Sequence, residues 1–354
     1  MKASNPEQSL PSIRIAVTEA CNLKCDYCPT AGDSVEMQSE RLDNGGFEEM
    51  LAAAVDVGFT DFSFTGGEPL LSDKTSERTF QLASLVNNLR AAKGMRGYTK
   101  LNTNGANILR YIDGVVETGF DELKVSLDTL NPITFKELAK RSSKVFDETV
   151  EGILAVKDEV PVRLQTVVGR YNIGELPEMI RFCADNGLDI KLFDLSRYDN
   201  ALAGSGAFAD ENYISLQDVA LMLEDQHGEP TIKYAVGGYG HAKKVFTTPE
   251  GTKIEIRDTS ESAHYSPDLC DGCPKYMCQD GLCNLVIAAD GHIRFCREGG
   301  VDQTISAKDR QGTLKTPEQL RADFVRAAGV FVTAKAIERQ IQPSRPLLPL
   351  TVIR

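Results

Sequence analysis

Ile13-Arg14-Ile15-Ala16-Val17-Thr18-Glu19-Ala20-Cys21-Asn22-Leu23-Lys24-Cys25-Asp26-Tyr27-Cys28 decides how the chain is read. A short apolar run, 13–17, is followed by three cysteines at x3 and x2 spacing. Three thiolates this close can hold three irons of a [4Fe–4S] cluster and leave the fourth open to a small molecule, whereas electron-transfer clusters mostly take four cysteines. The competing readings are a zinc site or a redox cluster. Zinc wants a fourth ligand, and no histidine lies nearby.

Outward from this loop the pattern is strand, loop, helix, repeated six times. Strands are predicted at 13–17, 61–64, 98–101, 122–127, 162–168 and 189–193, short β-rich runs bounded by Gly, Asp and Asn. Between them lie helical patterns. In 175–186, Leu176, Met179, Ile180 and Cys183 follow i, i+3, i+4, i+7, so Cys183 reads as a buried core thiol. Alternation of this kind predicts an α/β fold with a parallel sheet and right-handed crossovers. Six units without a seventh and eighth predict an open, partial (β/α)6 TIM-type barrel, with its site at the C-terminal strand ends. The unusual residues fall on that rim: the cysteine loop, Thr65-Gly66-Gly67-Glu68-Pro69, Asn102-Thr103-Asn104-Gly105 and Ser126-Leu127-Asp128.

The rhythm stops near 200. The expected organisation is an N-terminal segment (1–12), the barrel (13–200), a cysteine-rich region (201–310) and a C-terminal helix and tail (311–354). Residues 201–210 read as a flexible link and 237–240 as a loop. Residues 285–295 read as a hairpin about Asp290-Gly291. Residues 317–341 read as helix, and the proline-rich 342–354 as extended.

The 354 residues carry a net charge of -12, with no basic stripe, which argues against a nucleic-acid partner. No run of 18 apolar residues predicts a membrane span. The first residues lack the n- and h-regions of a secretory signal, so a cytoplasmic location is expected. Of nine cysteines, three lie at 21–28 and five at 270–296, a spacing that favours metal over disulfides. The four histidines show no ligand spacing.

The segments IRIAVTEACNLKCDYC, FTGGEPLL, LNTNGANIL, VSLDTLNPITFKEL and LQTVVGRYNIGEL resemble, in order and spacing over 13–195, the GTP 3′,8-cyclase family within the radical S-adenosylmethionine (radical SAM) superfamily. The resemblance implies a [4Fe–4S] cluster on Cys21, Cys25 and Cys28 that binds SAM, reductive cleavage of SAM to a 5′-deoxyadenosyl radical, and a flavodoxin- or ferredoxin-type reductant. Tyr27 is then placed to pack by the adenine, and Gly66 and Gly67 to let backbone approach the ligand. Glu68 would accept from the SAM ammonium. Ser126 would meet the carboxylate or ribose, and Asp128, Asn104 and Ser196 line the same pocket. Taken alone, Ser126, Asn104 and Ser196 read equally as ordinary strand-end and turn residues.

The family also carries a second [4Fe–4S] cluster in a C-terminal, SPASM/twitch-like extension. Cys270, Cys273, Cys278 and Cys296 are the expected ligands here, with Cys283 in reserve and a four-cysteine zinc site as the alternative. Substrate positions differ from the family. Arg14 matches a nucleotide-contacting arginine, and Arg163 stands for a lysine. Elsewhere Ser63 replaces an arginine and Asn102 a threonine, and two further arginines fall on Asn284 and Val286. A triphosphate needs such cations. The expectation is a paralogue with intact radical machinery and an altered substrate. A nucleotide-like small molecule is favoured over a ribosomal peptide, over GTP itself, and over an iron–sulfur scaffold without SAM chemistry.

Overall fold

The computed structural model of the chain describes residues 10–28, 41–196, 205–257, 259, 262–296, 299 and 303–338. The expected tail at 342–354, part of the link at 201–204 and most of the N-terminal segment lie outside them. The first six strands are β1 (Ile13–Ala16), β2 (Phe62–Thr65), β3 (Thr99–Thr103), β4 (Glu122–Ser126), β5 (Val162–Val168) and β6 (Asp189–Asp194). Between them run α1 (Asn44–Val57), α2 (Asp73–Ala92), α3 (Ile112–Thr118), α4 (Pro132–Ala139), α5 (Ser143–Val156) and α6 (Leu176–Asn186). Strands β1 to β6 pair in sequence order, all parallel. This is the expected partial barrel. The strands alternate between a residue buried against the helices and one turned inward, most clearly in β5, so β-branched and aliphatic side chains form one continuous outer core. Cys183 is fully buried in that core, as α6 periodicity predicts.

The sheet is wider than six strands. Past α7 (Ser205–Asn212) and α8 (Gln217–His227) come β7 (Thr231–Lys233), β8 (Lys243–Thr247), β9 (Lys253–Arg257), β10 (Ser262–Tyr265) and α9 (Pro267–Cys270). Then follow β11 (Leu285–Ile287), β12 (His292–Arg294), β13 (Thr304–Ser306), α10 (Pro317–Val332) and β14 (Lys335–Glu338). Among the described residues twelve strands form one sheet in the order β13-β12-β11-β1-β2-β3-β4-β5-β6-β9-β8-β7. Both β11 and β9 lie parallel to the edge strands β1 and β6. The two extra parallel strands come from the cysteine-rich region and not from further βα units, which is why the repeat counts only six.

Two expectations are corrected. Residues 205–212 form α7 instead of continuing a flexible link. Phe208 stacks at 5.6 Å on Tyr171, and the Asn212 carbonyl accepts from Arg170 N–H at 2.9 Å, tethering the segment to the barrel. The last helix stops at Val332, where the Thr333 hydroxyl bonds Asp268 and the Val330 carbonyl. Lys335–Glu338 then pairs antiparallel with β10, so strand pairing replaces the helix expected to run on to 341. The Asp290-Gly291 hairpin forms as predicted, joining β11 to β12.

Helix α10 starts with a capping box, Thr316 and Gln319, and Pro317. It buries Leu320, Phe324, Ala327 and Phe331, and Phe324 meets Phe59 edge-on at 5.8 Å. The rim is built by closer contacts. Gly67 N–H donates to the Thr18 carbonyl at 2.7 Å and Glu68 N–H to the Ala20 carbonyl at 2.8 Å. A Cβ on Gly66 or Gly67 would overlap the Thr18 or Ala20 carbonyl oxygen, and Gly66 has φ +140°. Glu68, 1% exposed, accepts from Leu70 N–H at 2.8 Å, the Thr103 hydroxyl at 2.7 Å and Asn104 N–H at 2.7 Å.

Phe324→Ala is expected to cost about 3–5 kcal/mol in chemical denaturation; a loss under about 1 kcal/mol would show that α10 is not part of the core. Glu68→Gln replaces one of the two acceptor oxygens by an amide donor, set against at least one of the three donors. It is expected to cost about 1–3 kcal/mol, read as a fall in melting temperature, and an unchanged melting temperature would overturn the role given to Glu68.

Candidate active site

A cavity of about 560 Å³ occupies the barrel interior, a size suited to a small-molecule ligand. Cys21, Cys25 and Cys28 line it at the C-terminal rim of the strands, with Gly66, Gly67, Asn104, Ser126 and Ser196 around them. The structure therefore brings together the residues that the sequence placed on one rim. The cysteine loop is docked by its backbone onto α4: Lys24 N–H donates to the Ala139 carbonyl at 3.1 Å and Asp26 N–H to the Leu138 carbonyl at 3.3 Å. Arg141 donates to the Asn22 carbonyl, and Lys140 pairs with Asp26 at 2.7 Å. Asn104 Nδ2 reaches both Asn22 Oδ1, at 2.7 Å, and Cys21 Sγ, at 3.6 Å. Burial raises the Cys21 and Cys25 thiols, and Asp128 raises Cys25 further. Three soft sulfur donors turned into one cavity fit the thiolate ligation of a cluster, whose binding displaces the thiol protons. Among the described residues, no three or more His, Cys, Asp or Glu are gathered so as to hold one metal ion.

Two rim carboxylates are engaged by the protein itself. Glu68 is turned away from the cavity, because its oxygens are taken by the β2 and β3 loops. Burial raises its carboxyl to about 7, against the pull of those donors. Asp128 lines the cavity, yet its oxygens accept from the Tyr27 hydroxyl at 2.6 Å and Val167 N–H at 2.8 Å. Burial raises it to about 6. Tyr27 is thus fixed by β4, and its phenol ties the cysteine loop across the barrel to β5.

The inner half of the cavity is polar and charged, and most of these groups escaped sequence reasoning. Arg163, expected to meet substrate, pairs with Glu122 at 2.9 Å, Glu255 at 3.2 Å and Asp189 at 3.6 Å. Lys191 and Lys243 meet Glu255 at 2.6 and 3.3 Å, and Lys100 meets Glu122 at 3.6 Å. Burial pushes Glu255 up, but Lys191 and Lys243 pull it well below the usual carboxylate range. Arg14 donates to the Thr65 hydroxyl at 3.3 Å from the same wall. The signal was strand parity: Lys100, Lys124, Arg163 and Lys191 all sit at inward positions of predicted strands.

Ser63 and Asn102 stand where the family resemblance implies an arginine and a threonine, and they satisfy each other: Asn102 Nδ2 donates to Ser63 Oγ at 2.6 Å. Val286 sits beside Arg14 in the β1–β11 register, and Asn284 lines the cavity. Cys283 and Cys296 line it as well, while Cys270, Cys273 and Cys278 do not. Burial raises the Cys270 thiol, and Cys278 and Cys273 raise it further. Gln303 donates to the Leu269 carbonyl, and its side chain borders Gly299 and thereby Cys296. Leu282, one residue from Cys283, is buried.

The radical SAM superfamily model matches residues 15–183. The GTP 3′,8-cyclase of Peptoclostridium acidaminophilum is 26% identical over 346 residues, covering 90% of this chain and 95% of that protein. The GTP 3′,8-cyclase of Petrotoga mobilis is 25% identical, covering 90% of each. Among solved structures, polyhistidine-tagged anSMEcpe with bound AdoMet aligns with a TM-score of 0.51 and 17% identity, covering 90% of this chain and 82% of that one; it supports the partial barrel. No helix among the described residues is long and apolar enough to cross a membrane. Cysteine loop, glycine rim and barrel cavity agree with these likenesses: residues 15–183 match the radical SAM superfamily, and the chain is distantly similar to the GTP 3′,8-cyclases.

Proposed function

We propose that this enzyme uses SAM at a [4Fe–4S] cluster on Cys21, Cys25 and Cys28 to take a hydrogen atom from a nucleotide-like small molecule held inside the barrel. The observation that carries the reading is that one cavity joins the three thiols and the glycine rim to a cation-rich inner wall. When bound, cluster and SAM supply one-electron cleavage of the sulfonium, yielding methionine and a 5′-deoxyadenosyl radical. The chain's own residues position and enclose. The Gly66-Gly67 backbone shapes the rim beside the sulfurs, Ser126 and Ser196 offer hydroxyls, and Tyr27 with Asp128 holds the loop in place.

A substrate other than GTP is supported by the exchanged positions. Ser63 and Asn102 are committed to one another, Val286 carries no charge, and Arg163 is already neutralised by carboxylates. A second [4Fe–4S] cluster on Cys270, Cys273, Cys278 and Cys296 completes the reading. The influence of Cys273 and Cys278 on Cys270, and Gln303 reaching from the Leu269 carbonyl toward Cys296, support this set. A small redox protein of the flavodoxin or ferredoxin kind would deliver the electron.

Anaerobic reconstitution with SAM and dithionite is expected to release 5′-deoxyadenosine, and Cys25→Ala to reduce it to background. Release that survives in Cys25→Ala, or none in the wild type, would refute the radical chemistry. Metal analysis is expected to give about eight irons per chain, for two four-iron clusters; about four irons and one zinc would refute the second cluster. Incubation with GTP is expected to give no cyclised guanosine product, and its formation at the rate of a true cyclase would refute the altered substrate.

A further inference from the structure

Five cations from five strands, Lys100, Lys124, Arg163, Lys191 and Lys243, face two carboxylates, Glu122 and Glu255, inside the barrel. Asp189 adds one more negative charge, at 3.6 Å from Arg163. An enclosed excess of positive charge is costly unless an anion completes it. The cations are not equally placed. Four of them approach a carboxylate within 3.6 Å, whereas Lys124 Nζ lies 3.9 Å from Glu122, which Arg163 and Lys100 already share. Among the described residues Lys124 makes no hydrogen bond through its side chain. That side chain keeps 20% exposure, and it lines the cavity.

Position along the strand adds to this. Lys124 and Ser126 share the inward face of β4, so Lys124 sits about 6.6 Å deeper than the rim serine, at about 3.3 Å per residue. A molecule reaching from the sulfur-lined rim inward therefore meets Lys124 one inward-facing position below Ser126.

We propose that Lys124 anchors a doubly charged oxyanion of the substrate, a phosphate or a dicarboxylate, in this cavity below the rim. This rests on the reading that the cavity receives substrate. It assigns the anion to Lys124 of β4, beside Arg163 in the β4–β5 register, and not to Arg14. Burial, then Lys100 from β3, lowers the ammonium to about 7; Glu122 opposes this, and Lys191 from β6 and Arg163 from β5 add to it. An arriving anion restores the proton. Affinity is therefore high below about pH 7 and is lost as pH rises through that value.

The test is calorimetric titration of the anaerobically reconstituted protein with sulfate, dianionic throughout the window used, and, separately, malonate, which is mostly dianionic there. Wild type is expected to bind at least one of them saturably, with affinity falling about tenfold or more from about pH 6 to about pH 9. Lys124→Gln is expected to bind about tenfold more weakly at about pH 6 and to lose the pH slope. Lys124→Arg is expected to bind at every pH, because a guanidinium keeps its charge. Preference for sulfate identifies a phosphate-type substrate group, and preference for malonate a carboxylate. Unchanged affinity and slope in Lys124→Gln, or no saturable binding to the wild type, would overturn the assignment. SAM cleavage by the same preparations separates the two readings: cleavage without anion binding overturns the Lys124 role alone, and anion binding without cleavage overturns the radical reading alone.

Discussion

The site depends on how closely three rim loops are forced together. The loop after β2 lies against the carbonyls of Thr18 and Ala20 because neither Gly66 nor Gly67 carries a Cβ, and Glu68 closes the seam by accepting from the β2 and β3 loops at once. Buried donors must be matched, and a carboxylate that accepts three of them fixes the relative height of these loops. The cysteine loop inherits that height through Thr18–Ala20. It is then held from the opposite side by Tyr27 on Asp128 and by α4. A short cysteine loop cannot bury an apolar core of its own, so its geometry is borrowed from these neighbours.

The barrel half of the molecule was largely legible in sequence. Period-2 strands, the periodic face of α6 and the rim motifs mark local choices that tertiary packing confirms within a residue or two. The Asp290-Gly291 turn was legible for the same reason. Local signals failed where a segment takes its conformation from a distant partner. Strands β9 and β11 are short, and their direction is set only by the edges of β6 and β1. Residues 335–338 follow a strongly helical stretch and become strand because β10 offers a ladder.

The site divides along the same line. Cysteines, glycines and strand-end hydroxyls stand out by type. The roles of Glu68 and Asp128 did not, since a carboxylate that serves loops and one that serves a ligand look alike in sequence. The inward lysines were hidden for another reason. A charged residue in a strand ordinarily reads as facing solvent, and only the closure of the sheet turns Lys100, Lys124 and Lys191 into one enclosed network. Such a network favours specificity over stability, because desolvating its charges offsets most of what their pairing contributes.

The β1–β11 ladder has a consequence for biogenesis. Ile13 pairs with Leu285, so the edge of the first strand stays uncovered until the chain has grown by more than 250 residues. At ribosomal speeds of about 5–20 residues per second, that interval is on the order of tens of seconds. Throughout it a nascent barrel exposes an open strand edge beside three bare thiols, the kind of surface that recruits wrong partners. The edge of β1 is therefore covered only late in synthesis, by the same C-terminal hairpin.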